Sequence, residues 1–148
     1  MFDKVLNPTV TFTPDAAAYS AGDSIGGALT FDVSDSATGM GVINNLLVAD
    51  NEGIGAAGAL WLFKQDLATP IADNAAFAVA FADLANLITV LTLPAYVTIS
   101  TFKEALLEDI NTVFEVSGGK IIGYFVPSGA PDWAASKSIH IHLGILTQ

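Results

Sequence analysis

The chain has 148 residues, 52% of them hydrophobic, and sets 15 Asp and Glu against 5 Lys and no Arg, a formal charge of −10. That length supports one core and one domain, residues 1–148, with 1–18 as an N-terminal arm or edge strand. So few cations argue against nucleic-acid binding, which works by releasing counterions, and against an anionic membrane surface; without Cys there are no disulfides, thiolate metal sites or cysteine nucleophile.

The start, "MFDKVLNPTV", lacks the basic region and long apolar run of a secretory signal. Apolar alternation bounded by turn residues then predicts strands at 5–13, 25–33, 42–49, 59–65, 77–81, 87–93, 96–100, 112–116, 121–126 and 139–146. So many short strands mean an all-β antiparallel sandwich or barrel. Within the strand "ALWLFKQ", Leu60 and Leu62 share one face while Trp61 and Phe63 share the other. Either a loop or helix covers both faces, or the aromatic face meets another chain; the first reading is preferred because buried aromatics usually serve packing.

The uncharged stretch 84–102 contains Asn86, Pro94, four Thr and Ser100, and reads as two strands around a Pro turn instead of a membrane span. Thr101-Phe102-Lys103-Glu104 fits a capping box, after which Phe102, Leu106, Leu107 and Ile110 fall near one face. This predicts one short helix beginning near Phe102. A weaker single turn is read around Asp83-Leu84-Ala85, and "GIGAAG" at 53–58 reads as a flexible loop.

Three constellations invite a chemical reading. Gly22-Asp23-Ser24-Ile25-Gly26 fits G-x-S-x-G, with Asp132 and His140 available downstream in triad order. A nucleophile elbow, however, needs a strand before the serine and a helix after it, and here "PDAAAYSA" precedes while the β-rich "IGGALTFDV" follows. A turn or strand-entry role for Asp23 and Ser24 fits better. His140 and His142 alternate along a strand and so share one face, at a spacing that can share a metal, but no third ligand follows in the remaining six residues. With Ile139, Ile141, Leu143 and Ile145 facing the core, the histidines face outward. Asp32 with Asp35, or Glu104 with Glu108 and Asp109, could form an acid/base pair, yet nothing in the sequence places two of them across a cleft.

Read as Tyr19-x-x-Gly22-Asp23-x-x-Gly26-Gly27-x-Leu29-Thr30-Phe31, the same stretch resembles a pattern in small structural proteins of tailed bacteriophages and prophages. Further echoes follow in order: "LWLF" at 60–63, "DNAAF" at 73–77, "ADLANLITV" at 82–90, "YFVPSGAP" at 124–131 and "LGIL" at 143–146. The resemblance is to capsid decoration, or cement, proteins. It implies a jelly-roll sandwich that binds between subunits of the major capsid protein and strengthens the shell; the acidic charge argues for the outer surface, away from packaged DNA, and the residues give no catalytic, metal or cofactor site. Segment 93–111 and the two histidines have no counterpart in the pattern. A homo-oligomer, dimer or trimer, is expected at repeated symmetric sites. Phe2, Trp61, Phe63 and Trp133 are the aromatic candidates for the partner interface. The alternative is a tail or fibre β-sandwich module that reads carbohydrate through an exposed aromatic platform.

Overall fold

Alternating apolar residues build eleven antiparallel strands in a computed structural model that describes residues 4–134 and 137–147. They are β1 Lys4–Leu6, β2 Thr9–Phe12, β3 Ile25–Asp32, β4 Met40–Asp50, β5 Gly58–Phe63, β6 Leu87–Thr92, β7 Val97–Ile99, β8 Phe102–Leu107, β9 Thr112–Glu115, β10 Lys120–Pro127 and β11 Ile139–Thr147. Their pairing is nested: β1 and β2 lie on β11, β3 on β10, β4 on β8 and β9, and β5 on β6. A long ribbon paired in this way and then rolled up also brings β11 against β4 and β10 against β5. This is the jelly roll. One sheet has seven strands, ordered β1-β11-β4-β8-β7, with β2 also on β11 and β9 also on β4; the other has four, ordered β3-β10-β5-β6.

The two sheets close on each other through the residues that alternation points inward. Ile43, Leu46, Val48, Ile139, Ile141 and Leu143 from the larger sheet meet Leu29, Phe31, Leu60, Leu62, Ile121 and Phe125 from the smaller, and each of these is at most 2% exposed. Such a side chain contributes roughly 1.5–3 kcal/mol when fully buried, so this layer is the main drive to fold. The predicted strand 5–13 is split in two because Pro8 has no N–H to give a ladder; its carbonyl still accepts from the Leu143 amide at 3.1 Å.

Two elements differ from the expectation. The capping-box segment is strand β8, whose residues Lys103 to Leu107 pair with Asp50 to Leu46 of β4, while Ile99 pairs with Phe102 across a two-residue turn. Ser100 opens that turn in the left-handed region, φ 58°. Local pattern favoured a helix, but the unpaired amides and carbonyls of β4 needed a partner, and tertiary pairing overrides propensity. The short helix instead forms at the weaker site, as the 3-10 helix Phe81–Asn86. No strand forms at 77–81, which belongs to a segment folded over the smaller sheet.

That segment answers the question raised by "ALWLFKQ". Leu60 and Leu62 face the sandwich core, whereas Phe63 belongs to a second apolar cluster with Leu67, Ile122 and Tyr124, against which Trp61, Ile71 and Phe77 pack. Phe77 sits 5.2 Å from the Trp61 ring and 5.5 Å from Tyr124. The cover is pinned at its base by the Lys64 amide donating to the Asn86 carbonyl at 2.8 Å, and inside by the Tyr124 hydroxyl donating to Asp66 at 2.7 Å. No helix among the described residues is long and apolar enough to cross a membrane.

Candidate functional site

The glycine-rich stretch around Ser24 is a clasp. The Tyr19 hydroxyl donates to Asp73 Oδ1 at 2.7 Å and accepts from the Asp15 amide, while the Gly26 amide donates to the same Asp73 oxygen at 2.7 Å. Burial, reinforced by the bond to Asp73, pushes the Tyr19 hydroxyl above the ordinary phenol range. Around it the Ser24 amide donates to the Ala75 carbonyl, the Asn74 amide to the Ser24 carbonyl, the Phe77 amide to the Gly22 carbonyl, the Gly22 amide to the Pro127 carbonyl, and the Tyr19 amide to the Pro131 carbonyl. Gly26 is required twice over: its φ is 80°, and a Cβ there would stand 2.6 Å from the Phe12 ring. The segments "YSAGDSIGG", "DNAAF" and "YFVPSGAP", far apart in sequence, thus close into one knot.

Ser24 is fully buried in this knot and its Oγ has no hydrogen-bond partner. His140 Nδ1 is engaged by Thr11 Oγ1 at 2.9 Å and His142 Nδ1 by Thr9 Oγ1 at 2.8 Å. The triad read from the sequence is therefore not assembled. Among the described residues there is no group of three or more His, Cys, Asp or Glu able to hold a metal. Asp32 and Asp35 do share the rim of a polar cleft of about 290 Å³ beside Asn7 and Pro8. Each is already engaged: Asp35 pairs with Lys4 at 3.4 Å, and Ser34 bonds to Asp32 and holds it below the usual carboxylate range. Glu104, on β8, pairs with Ala49 and Val97, and Glu108 and Asp109 follow in an exposed turn.

Of the aromatic interface candidates, Phe2 lies outside the described residues. Trp133 is 1% exposed, stacked edge-on against Tyr19 at 5.5 Å, with its Nε1 donating to Asp50 at 3.3 Å. Phe63 is also wholly buried, beneath the cover of the smaller sheet. Neither can anchor a partner while the fold stays closed, because both rings are consumed by the chain's own core. Trp61 is half-buried and lines a shallow dish of about 360 Å³ together with Ala59, Thr92, Leu93 and Val126.

The surface that sequence reading missed is the outer face of the seven-stranded sheet. Register places Val5 opposite Leu146, Leu146 opposite Val42, and Val42 opposite Val113, one apolar row crossing four strands. Val5 is 61% and Val113 68% exposed. A parallel row runs Thr9, His142, Leu47 and Leu106, and a third runs Thr11, His140, Ala49 and Glu104. Between them the Asn45 amide lies over Gly144. Among the described residues nothing covers this face. The predicted outward placement of His140 and His142 holds, since the intervening isoleucines are buried.

No family model matches the chain, and no curated protein matches it. Among solved structures it is similar to PRD1 vertex protein P5, with a TM-score of 0.41, 10% identity and 96% of each chain covered. It is also similar to a chain of a marine algae virus of the order Picornavirales, with a TM-score of 0.29, 13% identity, and 99% of this chain and 63% of the other covered. Likenesses this distant add nothing to the sandwich already read from the strand pairing.

Proposed function

We propose that the protein is a non-enzymatic structural component of a bacteriophage virion, a decoration or cement protein that binds the outer surface of the major capsid shell. The observation that carries this reading is the clasp: Tyr19, Gly22, Gly26, Asp73 and Phe77, which carry the sequence resemblance, are joined by the fold into one hydrogen-bonded unit. The likeness is therefore to residues that build a particular sandwich, not to scattered strings. A chain of charge −10 without Arg suits the outside of a shell, because packaged DNA would repel it from the inside. It stabilises by linkage: a ligand that binds only the assembled shell raises the free energy of disrupting it, by an amount that grows with occupancy. Particles lacking the protein should release DNA at a lower temperature, and purified protein added from outside should restore them. Equal heat stability with and without it would overturn this function.

The dish beside Trp61 favours a second reading, a tail or fibre module that binds a neutral sugar ring against the indole. Saturable quenching of tryptophan fluorescence by host-surface glycans, lost in Trp61→Ala, would support that reading over the first.

A further inference from the structure

We infer that the outer face of the seven-stranded sheet is the surface through which copies of this chain associate with one another. The inference does not depend on the capsid reading, since it concerns the free protein. Three observations carry it. The first is size: a face about five strands wide at ~4.8 Å and some nine residues long at ~3.4 Å covers roughly 20 by 30 Å, approaching the ~800 Å² that each partner contributes to a standard interface. The second is charge. The chain carries 15 acids, yet the three rows from Val5 to Glu104 contain one charged residue, Glu104, at their border, with Glu115 opposite Met40 at another corner. Repulsion between two strongly acidic copies is screened within about 8 Å at physiological salt, so a contact that keeps carboxylates at its rim is the one two copies can form.

The third observation is self-complementarity. The polar side chains inside the rows are Thr9, Thr11, Asn45, His140 and His142, and hydroxyl, amide and imidazole groups can each both donate and accept. Such groups can pair with their own copies, which carboxylates and ammonium groups cannot. A partner with a basic surface would instead call for acids at the centre of the face, whereas the one acid of these rows, Glu104, stands at their border. The occupant is therefore a second copy, brought together by the Val5, Leu146, Val42 and Val113 row with Leu47 and Leu106 beside it, as expected for the apolar core of a homo-oligomer interface. In a closed symmetric assembly this also buries the histidine and threonine rows.

Sedimentation velocity and native mass spectrometry of the full chain test this directly. The wild type should form a closed oligomer at micromolar concentration. Val5→Glu with Val113→Glu, both outward and exposed, should weaken association at least about a hundredfold through like-charge contacts while leaving the β-sheet and near-UV circular dichroism spectra of a folded monomer. Phe81→Ser, at a residue 91% exposed in the 3-10 helix, serves as the control and should leave the mass unchanged. A wild type that stays monomeric, a double Glu variant that keeps its oligomeric mass, or dissociation caused by Phe81→Ser would each overturn the inference. So would a monomeric wild type whose Val113→Glu variant loses only shell binding, because that would assign the face to the shell.

Discussion

The two outer faces of this sandwich are built from the same alternation and meet opposite fates. On the four-stranded sheet Trp61, Phe63, Ile122 and Tyr124 point outward, and the chain spends the segment between β5 and β6 to cover them. On the seven-stranded sheet Val5, Val42, Val113 and Leu146 point outward without such a cover among the described residues, Val5 and Val113 exposed and Val42 and Leu146 half-buried. The aromatic rings that project from the smaller sheet are sealed by the chain itself, whereas the aliphatic row on the larger sheet is not. The difference separates a face that the chain packs for its own fold from one that the described residues leave uncovered.

The largest expected effect breaks the covered face. Phe63→Ala removes a wholly buried ring between the sheet and its cover and should cost about 3–5 kcal/mol, seen as a lower unfolding midpoint together with new binding of a hydrophobic dye. An unchanged midpoint would mean that the cover does not pack as described. Alkali should act on the same side of the comparison. Burial is the leading cause that raises the Tyr19, Tyr96 and Tyr124 hydroxyls above the ordinary value of 10.0, so the fold favours their neutral forms. Stability from these groups is fully present below about pH 10 and is lost as pH rises through the folded values. Thermal midpoints should therefore be flat on the neutral side and fall above about pH 10, with the phenolate absorbance rising in step with unfolding; early, non-cooperative ionisation of all three would contradict the buried placement.

Smaller effects sharpen the contrast. Tyr124→Phe deletes the bond to Asp66, should cost about 1 kcal/mol, and should shift the alkaline transition upward by removing one titrating group. Ser24→Ala replaces a buried hydroxyl that has no partner, and should be neutral or slightly stabilising; a loss of more than about 1 kcal/mol would show that the hydroxyl is engaged. Val113→Thr on the bare face should change monomer stability by no more than about 0.5 kcal/mol in urea unfolding at high dilution, where assembly does not contribute.

Much of the fold was legible because a strand's period of two is a local property. The alternation in "IGGALTFD" and "IHIHLGIL" set which residues face the core, and Pro8, Gly39 and Gly119 stand directly before the strands β2, β4 and β10. The amino acids alone also limited the partners, since a chain with 15 acids and no Arg carries its charge wherever it folds. Tertiary structure decided the rest. Segment 102–107 reads as a capped helix from its sequence, and only the hydrogen-bonding need of β4 selects the strand. Trp133 and Phe63 look like anchors in sequence, but the Asp50 carboxylate and the cover over β5 draw them inside. Val5, Val42, Val113 and Leu146 are unremarkable where they stand in the chain; they become one row only through strand register, which depends on how the whole ribbon rolls up and which no local pattern encodes.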